Sequence, residues 1–333
     1  DAAQSSEAAA DYLESMIERI KKSSSSEYDC IVGMSGGVDS TYVAFLAKKH
    51  GLNPLAVHID AGWNSEIAVK NIESATNILS IDLETIVLDW QEIKDLQRSY
   101  FLASVPDCDV AQDHAFVAGI HHIAAKHKIK YMISGHNNVT EFILPPAWGY
   151  DSNDLSNLED IHSHYGSIKL KTYPKLGLFT RTIYYRLINK LSSFRILNYV
   201  DYNKEDVRAF ISTELDWKDY GGKHFESRFT KFFQAYYLPT KFGFDKRRAH
   251  LSNLVASGQM IRSEALAEIE LPQYTQNQLE EDRTYFLKKL GFNEKEWEAI
   301  MAAPNRKHAE FASDYDKWWY KLLKSVSAFM KKK

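Results

Sequence analysis

Short apolar segments alternate with helical segments between residues 29 and 134, and this alternation most constrains the fold. Near-continuous apolar runs indicate buried strands at Asp29–Met34, Pro54–Ile59, Leu83–Leu88 and Tyr131–Ser134. Helical patterns lie between or beside them at Thr41–His50, Glu66–Leu79, Trp90–Leu102 and His114–His127. Strands of this kind, joined by helices, predict an α/β fold with a doubly wound parallel sheet. In such a sheet, ligands bind beyond the carboxyl ends of the strands.

The chain divides into three predicted regions. An N-terminal helix and polar linker occupy residues 1–26, the α/β domain residues 27–145, and a mainly helical region residues 146–333. With 333 residues, 44% of them hydrophobic, the chain can bury a sizeable core. It has no uncharged apolar run of about 18 residues and no export signal, so we expect no membrane span and a cytoplasmic location.

The net charge of −3 conceals an asymmetry between the two halves. Residues 1–150 carry 11 Lys/Arg and 20 Asp/Glu, whereas residues 151–333 carry 30 and 24. The basic, aromatic second half predicts an anionic ligand, although solvated basic helices would give the same pattern. The overall balance argues against a protein whose main task is to bind nucleic acid.

The strongest chemical motif is Ser35-Gly36-Gly37-Val38-Asp39-Ser40, between the first predicted strand and the helix that follows it. Glycines allow the backbone to approach a ligand closely, and the start of the helix offers free N–H groups to an anion. The two serines add hydroxyl donors, and Asp39 can hold a magnesium ion that bridges phosphate oxygens. The spacing matches neither the Walker loop nor the dinucleotide fingerprint.

This motif resembles the pyrophosphate loop of the PP-loop ATP pyrophosphatases, whose fold is adenine nucleotide alpha-hydrolase-like. The resemblance implies that Ser35–Ser40 bind ATP, with Asp60, Gly135 and Asn137 as further cofactor-binding candidates. Asp60 could equally be a turn or helix-start residue. Glu141 is expected to complete the Mg²⁺ shell with Asp39.

Several segments resemble a narrower family, the bacterial N-acetyl-sugar amidotransferases of surface-polysaccharide (LPS O-antigen) and flagellin-glycan biosynthesis. They are Asp113-His114-Ala115, the loop 135–145, Gly221-Gly222-Lys223-His224-Phe225-Glu226-Ser227, and Phe244-Asp245-Lys246-Arg247-Arg248-Ala249-His250-Leu251-Ser252. The resemblance covers residues 28 to 275, nearly the whole chain.

The resemblance implies an ATP-dependent, AMP-forming ligase. It would adenylate the acetamido group of a nucleotide-linked sugar and convert it to an acetamidine. Ammonia would come from a separate glutaminase and its synthase-like companion, and the protein could be a homo-oligomer. Nucleic acid is not an expected partner. Family members usually carry an additional N-terminal, cysteine-bearing segment, so zinc is left open.

The reaction needs cations beside the phosphates and a group that takes a proton from ammonia. The catalytic candidates are Asp39, Lys223, His224, His114 and Arg247. The substrate-binding candidates are Asp113, Glu141, Lys223, Glu226, Arg228, Lys246, Arg247 and Arg248. Each basic residue could instead be a surface cation. His114 could equally be a buried, hydrogen-bonded ring, with Asp113 as a helix cap.

Two further functions remain open, and the cysteines bear on one of them. A tRNA-thiolating or lysidine-forming PP-loop enzyme would present a basic face and, for thiolation, usually paired cysteines. Cys30 lies in a predicted strand and is interpreted as core, whereas Cys108 is flanked by Asp107 and Asp109, which disfavour a thiolate. A non-catalytic assembly subunit is the other alternative, and the intact loop argues against it.

Overall fold

The computed structural model describes residues 6–138, 143–221, 225–322 and 324. Its centre is a five-stranded sheet in the order β3-β2-β1-β4-β5, and all four strand pairs are parallel. The strands are β1 Cys30–Gly33, β2 Pro54–Asp60, β3 Leu83–Val87, β4 Tyr131–Ile133 and β5 Ser192–Phe194. The doubly wound parallel sheet predicted from the alternation is confirmed.

Helices cover both faces of the sheet. Those of the first half are α1 Ser6–Ser23, α2 Val38–Lys49, α3 Glu66–Leu79, α4 Trp90–Ala103, α5 Val110–Lys126 and α6 Leu155–Tyr165. Those of the second half are α7 Lys204–Glu214, α8 Arg228–Phe232, α9 Lys246–Ala256, α10 Arg262–Glu270, α11 Gln276–Leu290 and α12 Glu294–Ala302. π-helical turns cover Thr180–Ile188 and Phe233–Phe242, so the described part of the second half is mainly helical, as expected.

Successive β1 residues point to opposite cores. Ile31 packs with α4 and α5 residues in one hydrophobic cluster, whereas Cys30 and Val32 pack with residues of α1, α2 and α7 in the other. Because both faces are buried, a strand reads as a continuous apolar run. This arrangement leaves the carboxyl ends of the strands as the open edge where a ligand can bind.

Two elements beyond residue 145 lie close to the sheet. Residues 151–160 are rich in Asn, Asp and Ser, and Asp154 caps α6 by accepting a hydrogen bond from the Asn157 backbone N–H at 3.2 Å. Strand β5 adds a parallel edge to β4. The sheet therefore extends past residue 145, into the region expected to be separate.

The second half is anchored to the carboxyl edge of the sheet by its residues 226–228. The backbone N–H of Ser65 donates to the Glu226 carbonyl oxygen at 2.8 Å, and that of Arg228 donates to the Trp63 carbonyl oxygen at 3.0 Å. Beyond this point, buried aromatic side chains such as Phe229 pack against Trp63. Glu226 is thereby fixed beside the strand ends. No described helix is long and apolar enough to cross a membrane.

Candidate active site

The loop between β1 and α2 has a conformation that requires glycine. Gly36 has φ +79°, and a Cβ at this position would lie 2.4 Å from the carbonyl oxygen of Ala68 on α3. No side chain fits in that space, because a heavy atom would overlap the backbone of a helix. The glycine thus lets the loop pack directly against α3.

The loop is held from both sides by hydrogen bonds. The two serine hydroxyls lie 3.2 Å apart, with the Gly37 N–H donating to Ser35 and the Ser40 hydroxyl donating to the Gly37 carbonyl oxygen. On the other side, the Gly36 carbonyl oxygen accepts hydrogen bonds from the Trp217 indole at 2.9 Å and from Asn71 at 3.3 Å. The loop is therefore preorganised by residues from α3 and from the second half of the chain.

A small pocket of about 190 Å³ opens at this loop. Its walls include Ser35, Gly37, Val38, Asp39, Ser40, Gly135, His136, Lys204, Arg208, Trp217, Asp219, Tyr220 and Glu226. Helix α2 starts here at Val38 with no side-chain cap. A helix start with glycine-rich backbone and hydroxyl donors is a favourable site for a phosphate group.

Lys204 and Arg208 supply positive charge to the small pocket. Arg208 pairs with Glu205 at 3.3 Å, and its buried Nε has no hydrogen-bond partner among the described residues. An unpaired guanidinium donor favours an anionic ligand, because a buried donor without an acceptor is unfavourable. Sequence reasoning missed both residues, since they lie on α7, far along the chain from the loop.

Asp39 and Tyr220 set the remaining polarity of this pocket. The Tyr202 hydroxyl donates a hydrogen bond to the Asp39 carboxylate and so fixes its orientation. Burial, followed by the nearby carboxylates of Glu226 and Asp39, raises the pKa of Tyr220, so this phenol stays protonated. The small pocket already contains the carboxylates of Asp39, Asp219 and Glu226, and neutral Tyr220 adds no further negative charge to it.

A larger cavity of about 820 Å³ adjoins the first, and Ser35 and Glu226 line both. It extends beyond the carboxyl ends of β1 and β2, where Gly33, Met34 and Val57 to Ile59 contribute to its wall. The second half of the chain closes it with Ser227, Thr230, Gln234 and Lys246. Its volume suits a ligand of nucleotide or nucleotide-sugar size.

Besides Asp151 and Glu226, three aspartates and one lysine line this cavity. Asp107, Asp109 and Asp113 lie at or near the start of α5, and Lys246 starts α9. Burial and the neighbouring aspartates raise the pKa of Asp107 and, more strongly, of Asp113, although Lys246 opposes the shift. Burial alone would lower the pKa of Lys246, but the three aspartates outweigh it and raise that pKa. The lysine therefore stays charged.

The structure places three predicted basic residues away from both pockets. Arg247 pairs with Asp245 at 2.7 Å and donates to backbone carbonyls at the end of α10, such as Leu271 at 2.8 Å. Arg228 pairs with Asp282 at 2.9 Å, and the exposed Arg248 lines neither pocket. Arg247 and Arg228 stabilise packing between helices. Of the described basic candidates, only Lys246 reaches a pocket.

Both ring nitrogens of His114, a catalytic candidate from the sequence, are engaged in hydrogen bonds. Its Nδ1 lies 2.6 Å from the Ser152 carbonyl oxygen, and its Nε2 accepts the backbone N–H of Leu176 at 3.1 Å. Burial lowers the pKa of His114, which is consistent with this neutral, doubly bonded ring. His114 lines neither pocket, so the alternative of a buried hydrogen-bonded ring describes it.

Asp60 and Asn137 support loops at the strand ends. Asp60 accepts hydrogen bonds from the Gly62 N–H at 2.7 Å and from Asn64 at 3.0 Å, which is the turn role left open above. Asn137 is fully buried and donates to the Gly135 carbonyl oxygen at 3.3 Å. Gly135 itself lines the small pocket, where a Cβ would lie 3.2 Å from that of Asp39.

Three of the candidates named from the sequence, Glu141, Lys223 and His224, lie outside the described residues. Within the described ranges, no group of three or more His, Cys, Asp or Glu side chains could hold a metal ion. Magnesium commonly binds through one or two carboxylates together with substrate phosphates. Asp39 at the phosphate-sized pocket fits that requirement, so Mg²⁺ would bind together with a polyphosphate.

Both cysteines are buried. Burial raises the pKa of Cys30, and burial together with Asp107 and Asp109 raises that of Cys108 well above its usual value. A thiol in such surroundings stays protonated and is a poor nucleophile. The interpretation of Cys30 as core and of Cys108 as unreactive is consistent with this environment.

A glycine-rich loop at the end of β1, a phosphate-sized pocket and a doubly wound sheet define the class of PP-loop nucleotide-binding proteins. The comparisons with known families agree. Residues 29–121 match the model of the queuosine biosynthesis protein QueC, and residues 226–326 match that of the LPS biosynthesis protein WbpG-like, C-terminal domain. Each match covers under a third of the chain, so the earlier stretch is similar to a PP-loop family and the later stretch to the WbpG-like family. The resemblance found in the sequence is confirmed.

Solved structures of low similarity accompany these matches. NMN synthetase from Francisella tularensis is 19% identical, with a TM-score of 0.34, and the match covers 42% of this chain and 58% of that one. A predicted subunit of tRNA methyltransferase from Methanocaldococcus jannaschii is 18% identical, with a TM-score of 0.33, and the match covers 55% of this chain and 75% of that one. NH₃-dependent NAD synthetase from Campylobacter jejuni is 11% identical, with a TM-score of 0.37, and the match covers 91% of this chain and 99% of that one. No curated protein matches the chain significantly.

Proposed function

We propose that this protein is an ATP-dependent amidotransferase that converts the acetamido group of a nucleotide-linked sugar into an acetamidine. The family matches support an ATP-using, ligase-like enzyme with a role in LPS biosynthesis. The sugar substrate, the acetamidine product and the ammonia supply are our proposal. ATP and nucleotide sugars are cytoplasmic metabolites, so we place the reaction in the cytoplasm.

The observation that carries the proposal is the connection between the two pockets through Ser35 and Glu226. A phosphate-sized pocket that adjoins a cavity of about 820 Å³ can hold the pyrophosphate of ATP beside a second substrate. The α-phosphate and the acetamido oxygen would meet where the pockets join. Holding two reactants in this way supplies much of the catalytic effect in such reactions.

The residues of the small pocket have distinct roles in this proposal. Backbone N–H groups at the start of α2, together with Lys204 and Arg208, bind the departing pyrophosphate and stabilise its charge. Asp39, oriented by Tyr202, holds the Mg²⁺ that arrives with ATP. The bound ion would neutralise phosphate charge beside the carboxylates of Asp39, Asp219 and Glu226.

Ammonia would be supplied by a partner glutaminase. A glutaminase of the cysteine type needs a reactive thiolate, and both cysteines of this chain are buried with a raised pKa. Neither can attack glutamine in its present surroundings. The proposed partner therefore supplies the nucleophile, and free ammonium should replace it in vitro.

The test combines the protein with ATP, Mg²⁺, ammonium and a panel of nucleotide-linked acetamido sugars. We expect AMP and a sugar product in which oxygen is replaced by NH. Asp39→Ala should abolish both, whereas Asp11→Ala, an exposed carboxylate on α1, should change neither. AMP formation with tRNA but not with any sugar would favour the tRNA-modifying alternative. No AMP with any substrate would favour a non-catalytic subunit.

A further inference from the structure

The α5 side of the large cavity carries more negative charge than its lysine can balance. Asp107, Asp109 and Asp113 line it together with Lys246, which is the one Lys or Arg among the described lining residues. The His58 ring in this cavity is held by the Met34 carbonyl oxygen at 2.8 Å and by the Asn64 amide nitrogen at 2.9 Å. The remaining charge must be met by protons or by a bound cation.

Two buried oxygens in the same wall have no hydrogen-bond donor among the described residues. Asp107 is 7% exposed, and one carboxyl oxygen accepts the Tyr150 N–H at 2.8 Å while Oδ1 has no partner. Gln112 is 3% exposed, and its amide nitrogen donates to Asp109 and Thr230, both at 3.0 Å. These two contacts fix Oε1 of Gln112 as an acceptor, and it too lacks a donor.

Asp113 completes this set of acceptors and faces the cavity itself. Its carboxylate accepts no hydrogen bond from any side chain or N–H that the structure describes, and the side chain is exposed to the cavity. The ligand that satisfies such a wall is positively charged and rich in N–H donors. Buried acceptors that lack donors favour such a ligand over a neutral one.

We propose that the Asp107–Gln112–Asp113 wall, with Asp109 and Lys246, binds the incoming ammonium ion and that Asp113 accepts its proton. The proposal rests on the proposed function, since it assigns a site to the nitrogen substrate of that reaction. Lys246 balances part of the carboxylate charge without filling the acceptor positions of Asp107 and Gln112. Asp113 is the member of the wall that is exposed to the cavity, and the buried acceptors of Asp107 and Gln112 lie in the wall beside it.

The proposed step balances as follows. Ammonium transfers one proton to the Asp113 carboxylate, and the resulting ammonia attacks the adenylated carbon with its lone pair. A C–N bond forms, and the C–O bond to AMP breaks with its electron pair leaving on the phosphate oxygen. The acetamido nitrogen keeps its hydrogen from adenylation onward, the new nitrogen loses a second proton to solvent, and an amidinium product remains.

The surroundings of Asp113 make its carboxylate more basic than that of an ordinary aspartate. Its position deep in the fold raises its pKa, although the side chain opens to the cavity, and Asp109 and Asp107 raise it further. Lys246 acts in the opposite direction, and the Tyr173 phenol packs nearby. A carboxylate is a more effective general base when its pKa approaches the working pH.

The kinetic test compares Asp113→Asn with the exposed control Asp11→Asn. For Asp113→Asn we expect kcat/KM for ammonium to fall about 100-fold, which is typical of a lost general base. ATP–pyrophosphate exchange with the acetamido sugar and no ammonium should persist, and Asp113→Glu should restore part of the rate. Equal loss of exchange, or an unchanged response to ammonium, would overturn the proposal.

A binding test separates this proposal from the function on which it rests. Thermal unfolding is measured in ammonium chloride and in sodium chloride at equal ionic strength, without other substrates. We expect ammonium to raise the melting temperature more than sodium in the wild type and in Asp11→Asn, but not in Asp113→Asn. Equal effects of the two salts would overturn the proposal. A stabilisation by magnesium chloride, but not by ammonium chloride, that Asp113→Asn abolishes would also overturn it. If ammonium stabilises the protein as expected but no AMP forms with any acetamido sugar, only the proposed function is refuted.

Discussion

The indole nitrogen of Trp217 lies 2.9 Å from the carbonyl oxygen of Gly36 and donates a hydrogen bond to it. Trp217 is buried at 2% exposure, so this bond is shielded from water. A side chain from the second half of the chain thus fixes the glycine-rich loop Ser35–Ser40 of the first half. The loop geometry depends on contacts that form only in the folded protein.

Replacing Trp217 by Phe should weaken ATP binding. The ring still fills most of the space, but the Gly36 carbonyl oxygen keeps only its longer bond from Asn71. A net hydrogen-bond contribution of about 1 kcal/mol corresponds to a roughly fivefold rise in the ATP dissociation constant. Titration calorimetry measures the change. The control Trp318→Phe, at a side chain that is 77% exposed, should leave the constant unchanged.

Gly36→Ala should disrupt the loop more than a comparable glycine change elsewhere. Gly36 and Gly243 have similar φ values, +79° and +73°, so alanine carries a similar backbone cost of about 1–2 kcal/mol at both. Only at Gly36 does the new Cβ meet a backbone atom, whereas Gly243 has nothing within 4 Å. We expect Gly36→Ala to lose both stability and ATP binding, and Gly243→Ala to lose stability alone. Equal ATP affinity of the two variants would contradict this account.

Arg208→Gln tests whether this residue acts on the phosphates. Loss of a charged donor with an unpaired, buried Nε should weaken ATP binding about tenfold, in the range for hydrogen bonds to charged groups. The effect should shrink at high salt, because the contact is electrostatic. Fluorescence titration with an ATP analogue measures it. Arg248→Gln serves as the control, since Arg248 is exposed and lines neither pocket.

The stability of the fold should fall as the pH drops below 6.5. Burial lowers the pKa of His308 to about 3, from 6.5 for an exposed histidine. Between these values the unfolded chain binds a proton that the folded chain does not. This stability is therefore complete above pH 6.5 and is lost towards pH 3, by at most about 1.4 kcal/mol per pH unit.

Denaturant unfolding at several pH values measures this slope. His308→Gln should flatten it, because the buried titrating ring, which lies 2.9 Å from Asn157, is gone. His164→Gln, at a side chain that is 59% exposed, should leave the slope as it is in the wild type. An identical slope in all three proteins would show that His308 does not control acid unfolding.

The thiols of Cys30 and Cys108 should not react with an aromatic disulfide reagent in the native protein. Both are fully buried, and burial raises the pKa of each. In guanidinium chloride, two thiols per chain should react rapidly, since the sequence contains two cysteines. Fast native reaction of one thiol would indicate a reactive cysteine and reopen the thiolation alternative.

The sequence allowed the loop and the sheet to be predicted because both depend on neighbouring residues. Ser35–Ser40 combine glycines, hydroxyls and a carboxylate within one strand–helix connection, so their geometry is local. The buried strands and their helices follow from periodicity in the same way. Strand β5 was not predicted from the sequence, because only Phe194 of its three residues is buried and no apolar run marks it.

Residues brought to the site by tertiary contacts could not be found in this way. No sequence motif marks the pocket residues Lys204, Arg208 and Trp217. The packing of α7 against α2 brings this part of the chain to the loop. Arg247 looked catalytic within its basic cluster, yet its neighbour Asp245 binds it at 2.7 Å. The aspartates around Cys108 were read for their effect on the thiol, although they also line the larger cavity.

The walls of the large cavity combine residues 144–151 with residues from two stretches of chain that match different families. Asp107 and Asp113 lie in the QueC-like stretch, whereas Thr230 and Lys246 lie in the WbpG-like one. Under the proposed function, substitutions in residues 226–246 would change the acceptor molecule while the loop Ser35–Ser40 is retained. Neither stretch produced alone would enclose the cavity. Swapping the later stretch between related chains is therefore a direct way to change the acceptor.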